Sequence, residues 1–232
     1  MKKFSMYRAL ARTTLCGQWE NMLFTSLLVA FTYGTLIGTP GILSELLGIE
    51  TLDYEHFGGI LVAVIYTVLL IIPLHFAYNC MFLTYVRKEA KNEFSPLILF
   101  RHLSLNWDTY VLTGLHYVVR LVLIAPLTAF IGTIYLWYAY SMTPYIISDY
   151  PGISASEALR MSRRMMRGHV WQLIVLKLTF TLWFCLGFIV AYIGLCVVVP
   201  FVRTAIAHFY EDVKFEYESR QANEMLAAQA LR

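Results

Sequence analysis

The stretch Ile153–Gly168, ISASEALRMSRRMMRG, decides the fold. Arg160, Arg163, Arg164 and Arg167 recur at i, i+3, i+4 and i+7, so an α-helix stacks them on one face. Ala155, Ala158, Leu159 and Met166 fall on the other side. Ser154 with Glu157 three residues on fits a capping box, and Gly168 fits a C-terminal stop. A short basic helix directly before a long apolar run is expected to lie flat on a membrane, arginines towards headgroups and water, apolar side in lipid.

The composition agrees. Of 232 residues, 59% are hydrophobic and 14% charged, and the mean hydropathy is +0.60. A soluble domain usually carries about 25% charged residues. Too few charges remain to cover a water-facing surface, which points to a multi-span membrane protein. The net charge is +3, and the Lys and Arg cluster at the flanks of apolar runs. Membrane topology already demands that placement, so nucleic acid is not an expected partner. Cys16, Cys80, Cys185 and Cys196 form no C-x-x-C pair, and free thiols are expected. The N-terminal MKKFSMYRALARTTLCGQ is followed by no A-x-A cleavage site at a suitable distance, so the first span is expected to be retained.

The first apolar run, about Trp19 to Gly38, is near the roughly 20 residues needed to cross the hydrocarbon. Thr39–His56 is acidic, with Glu45, Glu50, Asp53 and Glu55 and no Lys or Arg. A second run spans about Phe57–Val86, long enough that it must tilt, kink at Pro73 or project into the cytoplasm. Arg87, Lys88, Lys91 and Arg101 follow, and Phe94–Asn106 has the character of another interfacial segment. Charge placement sets the rest. A single crossing over 107–149 would put the Arg87–Arg101 and Arg160–Arg167 clusters on opposite sides; two spans, about 107–126 and 129–148, put both in the cytoplasm. Two further spans, about 170–190 and 193–211, leave the tail 213–232 inside. The expected architecture is all-α, six transmembrane helices in three hairpins with short basic interfacial helices. It forms a single membrane domain over 1–232 with both termini cytoplasmic.

A threefold internal repeat is also suggested. Arg12, Arg101 and Arg163 each stand five residues before Gly17, Asn106 and Gly168, and Trp19, Trp107 and Trp171 follow within three residues. The proposed unit is basic surface helix, Gly/Asn elbow, Trp anchor and helical hairpin, over 1–92, 93–150 and 151–212.

Ser156-Glu157-Ala158, Ser162-Arg163-Arg164, Met166 and Gly168-His169 form one recognisable run. After it come Gly187, Ile193-Gly194, Val199-Pro200-Phe201 and Ala207-His208-Phe209-Tyr210. Together with Tyr140-Ser141 and Tyr145–Asp149, this pattern resembles an uncharacterised bacterial integral-membrane family, the one numbered 975 among the domains of unknown function. The resemblance is specific over about Tyr138–Asp212; Phe201 stands where Tyr is usual, and Lys177–Thr181 is more polar than the family. It implies six spans in the bacterial cytoplasmic (inner) membrane. It brings no activity, cofactor or catalytic residue.

The residues themselves carry little chemistry. There is no H-E-x-x-H, no His–carboxylate cluster, no G-x-S-x-G and no Gly-rich phosphate loop, so neither an enzyme nor a cofactor is expected. Deep acids are also missing, against a proton relay. The intramembrane polar candidates are His75, His116, Arg120 and Arg203. Arg120 and Arg203 either form an internal anion site or cap carbonyls at helices interrupted near Pro126 and Pro200, the second being favoured. The histidines are expected to bond helix to helix, and Lys177 to snorkel. Arg160, Arg163, Arg164 and Arg167 are candidates for contact with anionic lipid or a protein partner, at about 1 kcal/mol per basic residue. The expected role is non-enzymatic: assembly, lipid interaction or partner binding. The alternative is a transporter or channel for an anionic or amphiphilic solute, which requires the four polar candidates to line one path.

Overall fold

Two prolines, Pro73 and Pro144, set where the helices in the middle of the chain change geometry. The structure is a computed structural model describing residues 4–47, 57–87, 97–124, 131–181, 183 and 193–230. Among the described residues every regular element is helical. The order is α1 (Phe4–Leu15), α2 (Trp19–Leu47), α3 (Phe57–Tyr66), a π-turn (Thr67–Ile71), α4 (Ile72–Val86) and α5 (Leu97–Ile124). Then follow α6 (Ile131–Ala139), α7 (Thr143–Asp149), α8 (Ala155–Met165), α9 (Val170–Thr179) and α10 (Ile193–Ala230).

Pro73 donates no hydrogen bond, and its ring would strike the carbonyl four residues back in a regular helix. The chain absorbs it in the π-turn, where the Ile72 N–H reaches back five residues to the Thr67 carbonyl. The helical run Val62–Val86 thus stays continuous over 25 residues at mean hydropathy 1.8. At 1.5 Å per residue that is about 37 Å, enough to cross a hydrocarbon core of about 30 Å. It is the one stretch among the described residues with both the length and the hydropathy of a span. The other expected spans are helical over most of their described lengths, but the turns expected near Pro126–Gly132 and just before 193 fall largely outside the described residues. The first expected span, Trp19–Gly38, does not end at Gly38: α2 continues to Leu47.

Pro144 breaks the expected span 129–148 in two. The ring excludes a regular helix through residue 140 and biases Thr143 away from it. α6 stops at Ala139, a turn occupies Tyr140–Met142, and α7 restarts with Pro144 in its first turn. The Thr143 N–H bonds to the Tyr140 carbonyl at 3.1 Å rather than to Ala139. The freed Ala139 carbonyl accepts from the Ser162 hydroxyl of α8 at 2.8 Å. The Cys80 thiol donates to the Pro144 carbonyl at 3.0 Å and ties α7 to α4.

α8 is capped as expected, with the Glu157 N–H on the Ser154 hydroxyl at 3.4 Å. Its surroundings correct the expectation of an apolar side in lipid. Ala155, Ala158, Leu159, Ser162 and Met165 are buried in the protein, as is Met166 beyond the C-terminus, against α5 and α7. Gly168 ends the element at φ +89°, a left-handed conformation. Gly17 does the same after α1 at φ +79°. Asn106 breaks α5 at φ −122°, ψ 17°, where the interfacial segment meets Trp107, but without the left-handed geometry.

The expected tail 213–232 is helical over its described length: α10 is one 38-residue helix from Ile193 through Ala230, and it also contains Pro200. α1 docks on it: the Tyr7 hydroxyl donates to Asp212 at 2.9 Å, Thr14 meets His208 at 2.9 Å, and the Tyr7 and Phe209 rings meet edge to face. One buried apolar cluster runs from Tyr7 to Val213 and joins both ends of the chain.

Candidate functional site: an arginine face and a cationic cavity

The buried face of α8 fixes its opposite face outward. Arg160, Arg163, Arg164 and Arg167 are all exposed, and with Tyr135 of α6 they line a surface depression of about 380 Å³. A neighbouring depression of about 440 Å³ shares Arg160 and Arg164 and reaches Tyr150, Tyr217 and Gln221. Behind the elbow, His169 Nδ1 lies 3.0 Å from Gln172 Oε1, and its Nε2 lies 3.3 Å from Arg220. Arg220 is itself ion-paired with Glu216. The end of α8 is thereby held against the extension of α10.

A second feature sits at the helix break. A cavity of about 250 Å³ is bounded by the π-turn end Ile71 and Ile72, by α4, and by the Tyr140–Tyr145 break, with α9 and α10 closing it. Its polar lining comprises His75, Asn79, Lys177 and Arg203, with Ser141, Thr143 and the tyrosines of the break. Asn79 is fixed at both ends: its amide N–H donates to the His75 carbonyl at 2.7 Å, and its carbonyl oxygen accepts from Arg203 at 2.6 Å. The Lys177 ammonium lies 4.8 Å from the centre of the Tyr138 ring. Among the described residues, no acidic residue lines the cavity.

A third cluster joins three elements. Asp149, 2% exposed at the end of α7, receives Arg87 in a bidentate pair at 2.5 and 2.9 Å. It also accepts from Lys214 and from the Tyr210 hydroxyl, each at 2.7 Å. Arg87 further donates to Glu211 at 2.7 Å. Burial pushes the Asp149 carboxyl up, but the hydrogen bonds from Arg87, Lys214 and Tyr210 outweigh it and hold the group below its ordinary value. Burial likewise disfavours the Lys214 ammonium, and the Asp149 hydrogen bond reverses the balance and raises it.

The four polar candidates therefore divide. His75 and Arg203 meet in the cavity. His116 turns to its own helix, with Nδ1 2.9 Å from the Leu112 carbonyl. Arg120 stands behind the cavity wall, donating to the Tyr140 hydroxyl at 3.4 Å, its guanidinium carbon 5.9 Å from the ring centre. One path through all four is not formed among the described residues. The expectation that Arg203 caps a carbonyl near Pro200 is also corrected: α10 runs on through Pro200, Thr204 satisfies the Pro200 carbonyl at 2.8 Å, and Arg203 bonds a side chain of another helix. Sequence reasoning left Lys177 to snorkel, whereas it lines the cavity, and it gave Asn79 and Asp149 no role. Asn79 stands four residues after His75, and Pro144 signalled the break beside them, so part of the cavity was within reach. No periodicity marks Asp149.

The chain is thus an all-helical protein with one described helix fit to cross a membrane, an exposed arginine face and an interior cationic cavity. Residues 103–216 match the model of DUF975, a protein family of unknown function, the family to which the sequence resemblance pointed. The matched segment runs from α5 into α10 and contains α8, Asp149, Lys177 and Arg203. No curated protein and no solved structure matches the chain.

Proposed function

We propose that the protein is a non-enzymatic, multi-pass protein of the bacterial cytoplasmic membrane, with both termini cytoplasmic, whose α8 face binds anionic lipid headgroups. The observation that carries this is the division of α8: four arginines share one exposed depression while the opposite face is locked into the protein core. An arginine row needed only for orientation requires no rigid mounting. At about 1 kcal/mol per basic residue near an anionic surface, four supply about 4 kcal/mol. The Asp149 cluster supports the topology, because it draws the ends of α4 and α7 to the charged extension of α10. Spans two, four and six then return to one side, as the positive-inside bias expects. The threefold repeat is retained as part of this proposal on the matched order of helix, elbow and Trp.

The test is native mass spectrometry of the protein in mild detergent, beside a variant with Arg160, Arg163, Arg164 and Arg167 changed to Gln. Stoichiometric anionic-lipid adducts present in the wild type and lost in the variant are expected. Adducts equal in both, or a co-purifying protein in place of lipid, would overturn the lipid reading. The transporter alternative retains one observation, the cavity that unites His75 with Arg203. Robust flux of an anionic solute through the protein in liposomes would replace the non-enzymatic binding role with it.

A further inference from the structure

We propose that the cavity at the Tyr140–Met142 break is a binding site for a phosphate group. The site is separate from the α8 face and shares no lining residue with it. Three observations converge on it. Lys177 and Arg203 enter from two different helices and bring two formal positive charges into one cavity whose described lining residues include no acid. Both are partly exposed within a largely apolar bundle, the like charges repel each other, and charges in that setting are normally paired. Among the described residues Lys177 meets only the Tyr138 ring and Arg203 uses one donor on Asn79, so most of its guanidinium fork is uncommitted there.

The second observation is a pair of orphaned hydroxyls. Thr143 and Tyr145 both line the cavity, are 0% and 1% exposed, and their hydroxyls have no hydrogen-bond partner among the described residues. A buried hydroxyl without a partner costs free energy comparable to a lost hydrogen bond. Both flank Pro144, so the same proline that opens the helix delivers them. The third is the backbone. Two irregular segments, the π-turn end and the α6–α7 break, face the same space, and π-turns inside helices are frequent at functional sites.

The donor set selects the ligand. A carboxylate offers one planar pair of oxygens, which Arg203 alone could meet. A guanidinium, an ammonium and two hydroxyls arriving from different helices suit a tetrahedral oxyanion with acceptors on several sides. Two positive charges match a phosphate monoester, whose charge is about −1.5 to −2 at neutral pH. The phosphate belongs either to an amphiphile, whose chain would lie along the apolar wall of Ile72, Phe76 and Ile206, or to a free solute.

The experiment is a titration in neutral maltoside micelles followed by the ³¹P resonance, with dodecyl phosphate in one arm and inorganic phosphate in the other. The protein is the full chain already carrying the four Arg→Gln changes on α8, so that failure of the α8 reading leaves this test untouched. Saturable one-to-one binding of dodecyl phosphate alone identifies an amphiphile headgroup; binding of both identifies a free phosphate-type ligand. Lys177→Gln or Arg203→Gln is expected to weaken binding about tenfold or more, and Lys177→Arg to retain it. Tyr145→Phe, which removes a hydroxyl with no structural partner, is expected to weaken binding while the thermal midpoint stays unchanged. Absence of saturable binding in both arms, or unchanged affinity in the Lys177→Gln and Tyr145→Phe proteins, would overturn the proposal.

Discussion

The Ser162 hydroxyl donates to the Ala139 carbonyl at 2.8 Å, across 23 residues of chain and in a fully buried setting. That bond links the arginine helix to the helix break. Pro144 displaces the Thr143 N–H from Ala139, and α8 supplies the replacement donor. The arginine helix and the cavity at the break are thus joined by a direct contact.

Ser162→Ala leaves a buried carbonyl without its partner. Unfolding in mild detergent is expected to show a loss of about 1–3 kcal/mol. An unchanged midpoint would mean that the break is held by other contacts.

Asp149→Asn removes the negative charge and one of the two acceptor oxygens that Arg87, Lys214 and Tyr210 share. Breaking a buried pair from one side costs about 3–5 kcal/mol, and the half-exposed Arg87 places the expectation near the lower end. The pH dependence follows from the sign of the shift. The folded carboxyl titrates below its ordinary value of 3.8, so its contribution is full above that value and is lost as pH falls through the lower folded pKa. Lys214 titrates above 10.5 when folded, so its contribution is full below 10.5 and is lost as pH rises past it. Thermal midpoints measured against pH should show an acid-side decline below about pH 4 that Asp149→Asn flattens.

Gly168→Ala tests the elbow alone. A Cβ there meets nothing within 4 Å, so the penalty comes only from the left-handed backbone at φ +89°. A loss of about 1–2 kcal/mol is expected, with Gly168→Asn costing less. Calorimetry of the two variants checks the order.

Gly114→Leu probes the approach of α5 to the π-turn. Even a Cβ at Gly114 would lie 3.0 Å from Ile72 Cγ2. Overpacking of this kind costs about 1–3 kcal/mol. Because Ile72 also lines the cavity, phosphate titration of the same variant should show weakened binding.

Much of the helical order was legible in the sequence because it depends on local signals. The Ser154 N-cap, the arginine spacing and the glycine stop at Gly168 each act within a few residues, and the structure shows all three. The α6–α7 break was equally local, since Pro144 alone forces it; attention to apolar length concealed it. The burial of the apolar side of α8 was not legible. Ala158, Leu159 and Met165 suit lipid and protein equally, and only their neighbours on α5 and α7 decide between them. The same holds for Lys177 and Arg203, 26 residues apart in the chain, which meet only because α9 and α10 fold onto one cavity. Asp149 gathers partners from Arg87 to Lys214, a separation that no periodicity can register.

Membrane placement underlies every functional statement, and one labelling experiment tests it. In a background with Cys16, Cys80, Cys185 and Cys196 changed to Ser, cysteines are introduced singly at Ser5, Glu50, Arg163 and Glu224, and an impermeant maleimide is applied to right-side-out and to inverted vesicles. The account predicts that Ser5→Cys, Arg163→Cys and Glu224→Cys react only from the cytoplasmic side, and Glu50→Cys only from the outside. Reaction of Arg163→Cys and Glu224→Cys from opposite sides, or release of the protein from the membrane by alkaline carbonate, would contradict it.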